Sequence, residues 1–176
     1  MTEFHGQNLI EYAVEQIIAG SHLANHTYHF APVETALAGA GNLAEDRFPF
    51  VTADLTLTGF NESEAFADLT VVILDSMPEV GREVSVPAYH AAILSKKNRY
   101  QLDLLEIGQI LLGKPDPVTR KPFRSYGING SATLTIQYDL PEDDLPEGRA
   151  HRLLQCTMVL PMKGGINELT GTFDPS

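Results

Sequence analysis

Three histidines lie within eight residues near the start of the chain, in the segment Ser-His-Leu-Ala-Asn-His-Thr-Tyr-His. If a helix runs through this segment, His22, His26 and His29 fall at positions i, i+4 and i+7 and share one side of it. Imidazole nitrogens bind divalent metals, and Glu15 or Glu34 could supply an oxygen ligand. The spacing therefore suggests a divalent-metal site, whereas a polar connector is the alternative interpretation of the same residues.

Tyr89 and His90 form the second group that could carry chemistry. They are weak candidates for catalytic residues. They follow Pro87 in the stretch 83–94, which reads as a strand, and Pro87 indicates a sheet edge or a bulge because proline is tolerated in those places. A histidine facing a pocket could act as acid or base, since it titrates near neutrality. The sequence supplies no partner for it, so an exposed or structural histidine is the alternative.

Cofactor signatures are missing from the sequence. It has no Gly-Lys-Ser/Thr phosphate loop, no Gly-x-Gly-x-x-Gly, no Gly-x-Ser-x-Gly and no Cys-x-x-Cys. We therefore expect no cofactor other than the divalent metal that the histidines could bind.

The element expected to position any site at the N-terminus is an amphipathic helix over residues 7–19. Its apolar residues recur at spacings of one, three and four, which marks one apolar side: Leu9, Ile10, Ala13, Val14, Ile17 and Ile18. A helix this short is marginal alone in water, so that side must pack on another part of the protein. Residues 21–47, rich in small side chains, are predicted to be a connector.

From residue 48 onward the apolar period changes to two, which indicates strands. Asn61–Glu64 reads as the turn of a hairpin. The apolar spacing of residues 100–112 fits a helix about as well as a strand with a bulge at Gly108, and their Leu, Glu and Gln content favours the helix. The predicted strands are 48–60, 65–74, 83–94, 131–140, 149–160 and 166–173.

We therefore predict a mainly β protein: an antiparallel β-barrel, or a sandwich, of six to eight strands preceded by the N-terminal helix. Residues 1–47 would form the helix and connector, a possible lid, and residues 48–176 the barrel domain.

The net charge of the chain indicates which kinds of macromolecule it can bind. The 176 residues include 12 lysines and arginines against 23 acids, a net charge of −11. Nucleic acid is a poor partner for such a chain because its binding depends on phosphate neutralisation. Positive charge is concentrated in what we call the basic island, residues 96–124, which could meet an anion or an acidic partner such as a second copy. Its members are Lys96, Lys97, Arg99, Lys114, Arg120, Lys121 and Arg124. A pair of solvated loops is the alternative interpretation.

Location is inferred from missing features. No run approaches the roughly 20 apolar residues of a membrane span, and the N-terminus does not resemble a signal peptide. The single cysteine, Cys156, lies in an apolar run and is predicted to be buried and inert. We therefore expect a cytoplasmic protein without a membrane partner.

Three functions remain open at this point. The first is an apolar small-molecule site inside the barrel, with the N-terminal helix as lid, as in a cofactor-independent cyclase or isomerase of secondary metabolism. The second is an assembly or interaction protein, possible as a homo-oligomer, that uses the helix and the basic island. The third is a metal-dependent enzyme built on the three histidines.

Overall fold

The structure is a computed structural model of the 176-residue chain. It describes residues 27–30, 48–62, 64–78, 84–111, 131–145, 147, 149–167 and 172–174, together with the single residues Glu15, Ile18 and Thr35.

One mainly antiparallel sheet and one long helix make up most of the described part of the chain. The spatial order of the strands is β1-β2-β3-β5-β4, and β6 pairs with the end of β5. β1 runs parallel to β2, and the other pairings are antiparallel. In chain order the elements are β1 (Thr27–Phe30), β2 (Phe50–Phe60), β3 (Ala65–Met77), α1 (Val86–Leu111), β4 (Thr133–Tyr138), β5 (Arg152–Asn167) and β6 (Thr172–Asp174).

The core lies between α1 and one face of the sheet. Successive residues of a strand point to opposite faces, so Leu69, Val71 and Ile73 of β3 share one face. Their register partners on β5 are Leu160, Met158 and Cys156. The central members of the resulting apolar cluster are all buried: Val51, Ala53, Leu69, Val71, Ile73, Leu104, Ile107, Leu111, Leu154, Met158 and Leu160.

Helix α1 begins at a polar cap. The Ser85 carbonyl accepts a hydrogen bond from the Tyr89 amide at 2.9 Å, and the Ser85 hydroxyl lies 3.4 Å from the Ala88 amide. A serine in this place satisfies amides that have no partner within the helix. Pro87 fits the first turn because its missing amide proton is not needed there.

Helix α1 tests the predictions for residues 83–94 and 100–112. The strand predicted over 83–94 is wrong, because the helix has begun by Val86 and Pro87 marks its first turn rather than a sheet edge. The segment 100–112, which fitted both structures, is helical as far as Leu111.

The barrel prediction is also wrong for the described strands, which form an open sheet with β1 and β4 at its two edges. Segments that had been counted toward the barrel wall belong to α1. The helix packs across the face that would have lined a barrel interior and fills that space with side chains. The mainly β class and the antiparallel arrangement remain.

Several strands lie where the alternation placed them. The hairpin of β2 and β3 is confirmed, as are strands over 133–138 and from 152 onward. The break predicted between the strands 149–160 and 166–173 is wrong, since β5 continues through Lys163, Gly164 and Gly165 to Asn167.

Most of the predicted N-terminal helix lies outside the described residues. Glu15 and Ile18 are helical; Glu15 is exposed, and Ile18 is buried in the core cluster. The segment 21–47, predicted to be a connector, contributes strand β1 to the sheet, and Thr35 within it is helical. In the described part of the chain, no helix combines the length and apolar character that crossing a membrane requires.

Candidate functional site

The proposed histidine site loses its helical geometry. His29 lies in strand β1, in register with Thr52 of β2, so a helix cannot carry the i, i+4, i+7 spacing through to it. His22 and His26 lie outside the described residues. Within the described ranges, no group of three histidine, cysteine, aspartate or glutamate side chains is arranged to hold a metal ion.

Tyr89 and His90 lie in the first turns of α1 rather than on an edge strand. Tyr89 is fully buried, and its hydroxyl donates a hydrogen bond to the Asp139 carbonyl at 2.9 Å. His90 is exposed, and its ring lies edge-on to Tyr89 with 6.3 Å between centroids. Tyr89 therefore joins α1 to the end of β4, and its buried phenol already has an acceptor.

Asp139 stabilises the corner at which the chain passes from β4 to β5. Its carboxylate accepts hydrogen bonds from the Arg149 guanidinium and from the Leu153 amide, the latter at 2.7 Å. An open cleft of about 410 Å³ borders this corner, with Leu74 and Gln155 among its lining residues. Because the two charged groups at the cleft bind each other, the arrangement is suited to holding the corner in place.

A second polar cluster lies where α1 crosses the end of β3. Asp75 is only 4% exposed. Its Oδ2 atom lies 2.8 Å from the Lys96 ammonium and accepts a hydrogen bond from the Tyr100 hydroxyl at 2.5 Å. Lys96 also donates to the Ser76 carbonyl at 2.8 Å. A buried carboxylate requires such partners, because leaving a charge unpaired in the interior costs several kcal/mol.

This second cluster holds Tyr100 in its protonated form. Burial, and then the hydrogen bond and negative charge of Asp75, raise the pKa of Tyr100 well above its ordinary value. A cleft of about 410 Å³ adjoins the Asp75 cluster, and Ser95, Arg99 and Phe48 are among its lining residues. Sequence reasoning missed Asp75, although the four-residue spacing of Lys96 and Tyr100 does place these two on one side of a helix.

Cys156 is buried, as predicted, at the interface of the sheet with α1. Burial raises the pKa of its thiol to about 11. The thiolate is the reactive form of cysteine. This side chain is therefore a packing residue at neutral pH rather than a nucleophile.

The side of α1 that faces away from the sheet carries exposed leucines. Leu94, Leu102 and Leu105 are 56%, 65% and 45% exposed. Leu94 and Leu105 lie about three helical turns apart, on one side of the helix, and Leu102 neighbours Leu105 at a spacing of three. We call this surface the outer leucine face. A helix that packs against a sheet on one side normally has a polar opposite side, so α1 departs from that expectation.

Basic side chains stand at the borders of the outer leucine face. By helical geometry, Lys97 and Arg99 lie on its two flanks; Arg99 is exposed and Lys97 is partly exposed. Exposed Glu106 accompanies Arg99 on one flank. Lys97 and Arg99 belong to the predicted basic island, of which the members beyond Leu111 lie outside the described residues.

The tip of the β2–β3 hairpin is a second exposed apolar surface. The charged residues of its turn, Glu62 and Glu64, are acidic, whereas Lys97 and Arg99 beside the leucine face are basic. Phe60 is 79% exposed and Leu57 is half exposed. The turn is closed by backbone and side-chain hydrogen bonds between Asn61 and Glu64, each 2.8 Å. Exposed Glu62 lies within the turn, and Glu64 forms an ion pair with Lys163 at 3.4 Å.

Comparison with protein-family models and with curated proteins finds no match to this chain.

Proposed function

We propose that this protein is an assembly protein whose copies join through the outer leucine face of α1. The observation that carries the proposal is the exposure of Leu94, Leu102 and Leu105 on the side of α1 opposite the core. Contiguous exposed apolar surface bordered by polar residues is typical of protein–protein contacts. Isolated surface leucines are common, but three on one side of a single helix form a strip.

The occupant we propose for this face is the hairpin tip of a second copy. Phe60 supplies an aromatic anchor of the kind that dominates interface energetics. Glu62 beside it carries the charge opposite to that of Lys97 and Arg99 on the flanks of the leucine face. Apolar residues thus meet apolar residues, and Glu62 fits best against the Lys97 flank, because Glu106 accompanies Arg99 on the other flank.

Such a contact joins two different surfaces and is therefore heterologous. Each copy offers one leucine face and one hairpin tip, so the contact repeats from copy to copy and gives a ring or an open chain. Full burial of a leucine side chain stabilises by about 1.5–3 kcal/mol, and about half of each of these leucines remains to be buried. Each would contribute roughly 1 kcal/mol, and Phe60 somewhat more.

The apolar-ligand function has less support. It required a hollow enclosed by strands, whereas the described sheet is open and α1 fills the space on its apolar face. At the two 410 Å³ clefts, Asp139 binds Arg149 and Asp75 binds Lys96. Paired charges of this kind stabilise the fold and leave less capacity to orient a substrate.

The proposal is tested by placing a charge in the leucine face. We expect Leu105→Asp to reduce the mass of the particle measured by light scattering, since burying an unpaired carboxylate in an apolar contact is costly. Val86→Asp is the matched control. Val86 is also 45% exposed and lies on α1, about 28 Å from Leu105 along the helix axis. Unchanged mass for Leu105→Asp, or equal loss in both variants, contradicts the proposal.

A further inference from the structure

Strand β4 forms an open edge of the described sheet. Within the described residues it pairs with β5 on one side only. Its sequence, Thr-Leu-Thr-Ile-Gln-Tyr, contains no charge and no proline. Proteins usually protect an exposed edge with lysine, proline, a bulge or a covering segment, because its unpaired backbone groups can bind another strand. Of these protections, β4 lacks a charged residue, a proline and a bulge in its pairing with β5.

The composition of β4 stands out in a chain with a net charge of −11. Two copies with this net charge repel each other, so a charge-free strand is a place where they can approach. Its side chains are β-branched, aromatic or aliphatic on most positions, which favours strand pairing. Leu134 and Tyr138, on the same face of β4 as Ile136, are exposed.

We infer that β4 pairs in antiparallel fashion with β4 of a second copy, across a two-fold axis perpendicular to the sheet. The inference rests on the proposal that the protein self-associates, and it adds a second interface of a different kind. Antiparallel neighbours have side chains on the same face, so the axis passes through a residue that pairs with itself. With Ile136 in that place, Leu134 of each copy lies opposite Tyr138 of the other, and both exposed side chains gain a cross-strand partner.

Charge selects the antiparallel orientation. The loop after β4 carries the exposed acids Glu142, Asp143, Asp144 and Glu147. Parallel pairing would bring the two acidic loops together. Antiparallel pairing puts them at opposite ends of a six-residue strand pair, about 20 Å apart and beyond the Debye length of roughly 8 Å at physiological salt.

The test combines one variant at each interface. Thr135→Lys places a charge from each copy close to the two-fold axis, and Ala88→Lys, at an exposed site in the first turn of α1, is the control for added charge. We measure mass by sedimentation at several protein concentrations, and confirm folding by circular dichroism. We expect Leu105→Asp to leave a dimer, and Thr135→Lys in that background to raise its dissociation constant at least tenfold and give monomers.

The outcomes separate the two interfaces. If Leu105→Asp alone is monomeric, the β4 pairing is overturned and the proposed function stands. If Leu105→Asp leaves the full assembly intact while Thr135→Lys breaks it into monomers, the β4 pairing is supported and the leucine-face contact fails. A wild-type monomer at all concentrations overturns both.

Discussion

Replacing Lys96 with methionine tests the energetic role of the ion pair beneath α1. Methionine keeps much of the apolar stem and removes the ammonium that lies 2.8 Å from the Asp75 carboxylate. Asp75 is almost fully buried and, among its described partners, would keep only the hydrogen bond from Tyr100. The Ser76 carbonyl would also lose a donor.

The magnitude follows from burial. Removing one partner from a fully buried ion pair costs about 3–5 kcal/mol, because the remaining charge is uncompensated. The Lys96 side chain is 34% exposed, so solvent screens part of the interaction, and a smaller loss of roughly 1–3 kcal/mol is expected. Such a loss is a large fraction of the roughly 5–15 kcal/mol that stabilises an ordinary domain.

The assay is urea unfolding followed by circular dichroism at a fixed protein concentration. Lys97→Met is the matched control, because Lys97 neighbours Lys96 on the helix and is also partly exposed. Both variants are made in the Leu105→Asp background, so that Lys97 takes no part in the leucine-face contact and self-association does not alter the apparent stability. We expect the control to change the free energy of unfolding by less than about 0.5 kcal/mol. A Lys96→Met protein as stable as the wild type, or a control that loses as much, would refute this account of the cluster.

Three further predictions concern single groups. The raised pKa of Tyr100 means that its neutral form stabilises the fold fully below pH ~10, the ordinary tyrosine pKa, and that this contribution is lost as the pH rises above that value; we expect Tyr100→Phe to weaken the alkaline loss of stability in pH-dependent unfolding. The Cys156 thiol, with a pKa of about 11, should resist a thiol reagent at pH ~8 in the native protein and react in urea; equal rates would contradict its burial. Ser85→Ala should lower the free energy of unfolding by about 1 kcal/mol through loss of the cap of α1, and a change near zero would show that the 3.4 Å contact contributes little.

Sequence alternation predicts β2, β3, β4 and β5 correctly, although burial alternates clearly only along β3 and β5. β3 has buried residues at every second position over its first half, and its hairpin with β2 turns at Asn61–Glu64 as expected. Helix α1 was harder to predict because apolar residues lie on both of its sides. That distribution weakens the helical period, so its N-terminal part resembled a strand with Pro87 at an edge. The barrel prediction failed as a consequence.

The polar clusters could not be predicted from spacing alone. Asp75 and Tyr100 are 25 positions apart in sequence, and the packing of α1 on β3 brings them together. Tyr89 and Asp139 are 50 apart. The outer leucine face did have a sequence signal, since Leu94, Leu102 and Leu105 lie off the inner stripe of α1. That signal becomes readable only once the segment is known to be one helix.

Complementation between two variants, each defective in one surface, tests most directly the contact between the hairpin tip of one copy and the outer leucine face of another. In a Thr135→Lys background, Phe60→Asp damages the hairpin tip and Leu105→Asp damages the leucine face, and each variant alone should sediment as a monomer. Mixed together, they retain one intact contact per pair, between the tip of the Leu105→Asp copy and the leucine face of the Phe60→Asp copy. We predict one-to-one heterodimers that grow no further. A mixture that sediments as monomers would contradict the proposed assembly.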